Sequence, residues 1–311
     1  MSCYKGKYHD ELIANAALLS TNRKPILVAG EYTNTTLLPG DSDEDVKSNK
    51  VDSIKSNKLV IDELLSFHPL ALQQLSGVIF FEGAFYKQRT TPYDTPFVDV
   101  MKKNGILVGI QLDQGTIYHL AERCQRYRNK GIRFAKWRAV FKIGCINEPS
   151  QLAINENVKG LARFAITCQV NGLVPIIEPV ILVDGSHDIK RCAEVTEMVF
   201  AACYKALKGH HVLLEAASVS AEDIAEYTAR ALLLTVPKAV PAVVFLCGGQ
   251  SEAEAMLTLN GLSKSVSKSE MPWVDNKCPW LLSRSFGSTV QDGSLTSSLR
   301  TWCIIARADE P

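Results

Sequence analysis

Lys136 and Arg138 stand two residues apart in the apolar run Phe134–Gly144. In an extended strand that spacing sends both cations off one face, with Ala135 and Trp137 on the other. Two cations directed together attract a phosphate or a carboxylate. A carboxylate of the chain itself fits equally well: Glu178, followed by Pro179, lies in the next apolar run. Such a group is usually paired when buried, because burial alone would raise its pKa. Arg138 in turn disfavours the ammonium form of Lys136, and the neutral amine is the form that attacks a carbonyl. Asp113 closes an earlier run, Glu31 follows the first, and Cys247-Gly248-Gly249 turns toward a helical stretch. Backbone amides in a Gly-Gly turn can hold a phosphate, although tight strand-to-helix geometry asks for the same residues.

The elements that must position these groups are legible as a repeating pattern. Apolar runs occupy Ile26–Gly30, Gly77–Glu82, Ile106–Asp113, Phe134–Gly144, Val174–Pro179, His211–Ala217, Ala242–Gly249 and Trp280–Gly287. Continuous runs of this kind suit parallel strands covered on both faces. Helical periodicity fills Asn157–Val170, Cys192–Leu207 and Ala221–Leu234, the last with Ser220 as a candidate N-cap. Eight strands alternating with helices predict a single (β/α)8 TIM barrel over residues 1–311, with a doubly wound open sheet as the rival. Two polar stretches interrupt the pattern. Residues 39–58 read as a surface insertion carrying a short duplication, Val46–Lys50 against Ile54–Lys58, and residues 263–277 read as a loop.

Composition narrows the function classes. Thirty-four Lys and Arg against 33 Asp and Glu leave a charge of +1, without the basic excess of a nucleic-acid footprint. No apolar run approaches the roughly 20 residues that span a bilayer, and the start of the chain shows no secretory signal. The nine cysteines form no CxxC pair and are expected as free thiols in a reducing compartment. The histidines lack metal-ligand spacing, so neither a metal nor another cofactor is expected.

Residues 134–144, 174–181, 184–192 and 247–255 together resemble class I fructose-1,6-bisphosphate aldolase, and 77–87, 109–115 and 121–131 extend the match. The resemblance runs from about Lys24 to Trp302. It implies a TIM barrel, a cytoplasmic glycolytic origin, homo-oligomers, and cleavage of a sugar bisphosphate through a lysine Schiff base. Carried over position by position, it keeps Lys136, Arg138, Glu178 and Asp113. Elsewhere it departs. Ser220 stands at the family's Schiff-base lysine, Gly30 at its first-strand aspartate, Gln111 at a lysine and Val180 at a second glutamate. Cys247 replaces the serine before the Gly248-Gly249 turn, and Ser288 replaces a phosphate-binding arginine. The family's carboxyl-terminal active-site tail is expected to be missing.

Because groups acting on one transition state fail together, these losses predict a catalytically inactive homologue. Its expected role is as a scaffold for protein partners in a larger assembly, cytoskeletal or filamentous, with 39–58 and 263–277 as docking surfaces. The alternative is an active or repurposed aldolase that uses Lys136 as Schiff-base lysine and Glu178 as acid/base. Transaldolase-type barrels resemble this in placing their lysine on the corresponding strand. A third reading is a sugar-phosphate binding module held by Arg138, Gly248 and Gly249. None of the three calls for nucleic acid or membrane.

Overall fold

The computed structural model describes residues 5–20, 24–28, 75–81, 96–113, 119–144, 147–182, 185–222, 231–247 and 280–287. Eight parallel strands close into a barrel in chain order: β1 (Ile26–Val28), β2 (Gly77–Phe81), β3 (Leu107–Gln111), β4 (Phe134–Lys142), β5 (Val174–Leu182), β6 (Ser218–Glu222), β7 (Ala242–Cys247) and β8 (Leu281–Gly287). Pairing of β1 with β8, Ile26 opposite Ser285, completes the closure. The open-sheet rival is thereby excluded. Among the helices are α1 (His9–Ser20), α2 (Phe97–Lys103), α3 (Leu120–Asn129), α4 (Gln151–Val170) and α5 (Ile189–Gly209).

Strand alternation sorts the core into an inside and an outside. Ile26, Val28, Ile79, Phe134, Val174, Ile176 and Val244 form one buried cluster within the barrel. Their neighbours Leu27, Val78, Ile110 and Ala135 pack outward against helices. The interior is filled by unequal side chains. Gly109 lies opposite Phe134, and a Cβ on Gly109 would stand 2.3 Å from the Phe134 ring, so the aromatic occupies the space the glycine vacates. Leu12, Ala16 and Leu19 of α1 plug the amino-terminal end beneath this layer.

Several boundaries differ from those the pattern predicts. The run at 211–217 is not a strand: it ends in a 3-10 turn, Leu214–Ala216, and β6 begins at Ser218. Val212, Leu213, Ala216 and Ala217 are apolar because they are buried, not because they belong to the ladder. Buried Gln169 accepts from Leu213 N and donates to the carbonyls of Leu213 and Ala216, satisfying that irregular backbone. Ser220 therefore lies within a strand and does not cap a helix. Helix α4 begins at Gln151, where the Ser150 hydroxyl accepts from Ala153 N, and α5 begins at Ile189, capped by Asp188.

Candidate active site

The carboxyl ends of barrel strands hold the polar groups, and β4 and β5 supply most of those described. Their register sets Lys136 opposite Ile176 and Arg138 opposite Glu178. The side chains then converge. Lys136 Nζ stands 3.0 Å from Glu178 Oε1, and Arg138 Nε donates to Glu178 Oε2 at 2.8 Å. Lys136 is 2 % exposed and Glu178 1 %. Trp137, on the opposite face, packs against Phe164 at 5.4 Å between ring centroids and fixes the strand from outside.

Buried charges of this kind persist only when paired, and one carboxylate here serves two cations. An amine, a carboxylate and a guanidinium within hydrogen-bond reach can pass a proton and hold an anion.

Gln111 on β3 sits beside Lys136 in the register. Its Nε2 donates to Asp113 Oδ2 at 2.6 Å, while its buried Oε1 takes no hydrogen-bond partner among the described residues. Burial pushes the Asp113 carboxyl above its ordinary range, opposed by that hydrogen bond and by the charges of Arg138 and Lys136. A carboxyl so placed keeps its proton to higher pH, as a proton carrier requires. Val180 lies one rung beyond Glu178 on the same face and is buried, so an isopropyl group fills that place. Ser218 also belongs to this interior; it is 1 % exposed and its hydroxyl has no hydrogen-bond partner among the described residues. Sequence reading missed it, although the alternation of Ser218 and Ser220 was the available signal.

Other predicted site positions are only partly placed. Ser220 pairs with Val244 in the ladder, and Cys247 with Phe286. Their side chains, together with Gly30, Gly248, Gly249, Ser288 and the stretches 39–58 and 263–277, lie outside the described residues. The four described cysteines, Cys124, Cys168, Cys192 and Cys203, are buried free thiols.

Comparison with known proteins agrees with this architecture. Residues 11–304 match the family model described as fructose-bisphosphate aldolase class-I. Cytosolic fructose-bisphosphate aldolase 6 of Arabidopsis thaliana is 49 % identical over 97 % of this chain and 86 % of its own length. The cytoplasmic isozyme of Spinacia oleracea has the same identity and coverage. A crystal structure of fructose-bisphosphate aldolase from Plasmodium falciparum, in complex with TRAP and a small-molecule inhibitor, superposes with a TM-score of 0.78. It is 32 % identical and covers 99 % of this chain and 95 % of its own.

These relatives overturn the expectation of a catalytically inactive scaffold, and the assembly role built on inactivity falls with it. The physical reason lies in what the losses were taken to remove. Ser220 cannot form an imine, but imine chemistry requires only an amine at the barrel mouth, and Lys136 is buried there against a carboxylate. With the family model spanning most of the chain, near-half identity to named aldolases and a shared closed barrel, the chain belongs to the class I fructose-bisphosphate aldolase family.

Proposed function

We propose that the chain is an aldol lyase of glycolytic sugar-phosphate metabolism that works through a Schiff base on Lys136, with Glu178 as the adjacent acid/base. The observation that carries this reading is the buried amine of Lys136, 3.0 Å from a buried carboxylate, inside a barrel of the aldolase family. The substrate is fructose 1,6-bisphosphate, supported by the names of the relatives.

The chemistry follows from the groups present. Glu178 takes a proton from the Lys136 ammonium, and the freed amine adds to the ketone carbon. A proton on the adding nitrogen passes to the former ketone oxygen, Glu178 returns the first proton to the same oxygen, and it leaves as water, so a protonated imine remains. The C3–C4 bond then breaks. Its electron pair moves into the iminium to form an enamine, the C4 hydroxyl proton passes to a carboxylate, and the aldehyde departs. Protonation at C3 and addition of water release the ketone and restore the lysine. Asp113, whose raised pKa makes its carboxylate a stronger base, is suited to accept the C4 hydroxyl proton and then to deliver it at C3. Arg138 holds the far oxygen of Glu178 and lends positive charge for a substrate phosphate, with Gly248 and Gly249 proposed from the sequence as the second anion contact.

We extend to this chain one barrel domain over 1–311, a cytosolic location and self-association. Support comes from strands distributed between Ile26 and Gly287, from the relatives' names and from the family resemblance. A protein partner is supported by the Plasmodium structure in complex with TRAP. A cleavage assay with fructose 1,6-bisphosphate tests the activity: Lys136→Met should lower the rate by at least about 10³-fold, as removal of a covalent nucleophile does. Cleavage that survives this change would overturn the assignment.

A further inference from the structure

At the opposite end of the barrel, a cavity of about 640 Å³ opens between α1, α2, the start of β3 and the turn that enters β4. Its size is that of a small-molecule site. The body of the wall is apolar, from Phe97, Val98, Leu107 and Val108. Three cations, Lys102, Lys130 and Arg133, share the wall with one carboxylate, Asp99. Arg133 directs Nε toward Glu11 and Nη1 to the carbonyls of Arg128 and Ile132, which leaves Nη2 without a described partner.

Asn15 of α1 also lines the cavity at 8 % exposure. Its Nδ2 closes no aligned hydrogen bond, although it lies near enough to Glu11 to help hold that carboxyl low. Cations beside an apolar wall, with a buried amide whose approach to Glu11 is not aligned, have the composition of a site for an anion with an apolar body, because a poorly paired buried donor gains from a better acceptor. Arg133 enters β4 five residues before Arg138, about 16 Å along the strand, so this site is separate from the mouth.

We infer that this cavity is a second binding site, remote from the catalytic end, for a small ligand with an apolar, aromatic-sized body and one acidic group. The apolar wall takes the body. Asn15 Nδ2 and the cations take the anion.

The probe is 8-anilinonaphthalene-1-sulfonate, titrated against the full chain by fluorescence. One saturable site is expected, not displaced by saturating fructose 1,6-bisphosphate. Lys102→Glu combined with Lys130→Glu should weaken it about fivefold, the scale of two partly exposed charge contacts. Asn15→Leu and Val98→Phe, each checked for an unchanged unfolding profile, should weaken it as well. The uncharged analogue 1-naphthalenemethanol should bind more weakly than the sulfonate. Affinity untouched by all of these substitutions, displacement by the sugar bisphosphate, or equal binding of the neutral analogue would each overturn the inference.

Discussion

At the scale of single residues, Glu178 ties the site together, because each of its buried oxygens faces a cation. Replacing it with glutamine leaves two buried positive charges without their carboxylate, a change that typically costs about 3–5 kcal/mol. Glu178→Gln should therefore lower the urea midpoint markedly as well as stop cleavage, and an unchanged midpoint would contradict the buried triad. Asp113 gives a prediction of opposite sign. Its folded pKa lies above the ordinary 3.8, so the native state binds more protons than the unfolded state between the two values. Stability contributed by this carboxyl accordingly falls as pH rises through that window. Asp113→Asn removes the penalty while still accepting from Gln111. It should be more stable than the parent at pH 8, with the difference shrinking toward pH 4, when both are unfolded by urea at the two pH values. Equal destabilisation at both would refute the role of burial.

At the scale of elements, the barrel interior depends on Gly109 yielding space to Phe134. Gly109→Ala should cost about 1–3 kcal/mol, the usual penalty of overpacking. Combining it with Phe134→Leu should cost less than the sum of the single changes. Strict additivity in calorimetric unfolding would show that the two residues do not compete. Much of this scale was legible beforehand, since continuous apolar runs gave the strand count, and the two-residue spacing of Lys136 and Arg138 gave their common face. What escaped had local causes. The run ending at Ala217 looked like a strand because its side chains are buried, whereas they plug the base of the barrel, and the next five residues, more polar, carry the ladder. Pro179 suggested a strand end, yet β5 continues to Leu182 because β4 pairs with it throughout. The first turns of α4 are polar and hid its start, which Ser150 marks. For the site, the sequence offered Glu178 as a partner for Lys136 and Arg138 beside a substrate anion, and the pairing is what the structure shows. The sequence could not show the hydrogen bond of Gln111 to Asp113, which depends on the side-chain conformations of two residues only two apart at the end of β3.

Across the whole molecule, α1 is fastened beneath the barrel by charge as well as by apolar packing. Glu11 contacts Arg128 at 2.7 Å and Arg133 at 3.4 Å, and the Arg128 guanidinium lies over the Tyr8 ring. The hydrogen bond from Arg128 holds the Glu11 carboxyl below its ordinary value. A depressed carboxylate contributes stability above its unfolded pKa of 4.5, and that contribution is lost as pH falls through the folded value. Glu11→Gln should thus flatten the decline in stability between about pH 5 and pH 3, at a cost near neutrality of about 1 kcal/mol or less for this partly exposed pair. A parent-like decline in urea midpoints over that range would show that the pair contributes nothing.

The closed barrel holds an amine, a shared carboxylate and a guanidinium at one end, in a chain whose relatives are aldolases. In the proposed reaction this amine forms the covalent intermediate. Borohydride reduction in the presence of fructose 1,6-bisphosphate, followed by peptide mass spectrometry, measures it directly. A reduced sugar-phosphate adduct is expected on Lys136, absent from Lys136→Met. An adduct on another lysine, or none at all, would contradict it.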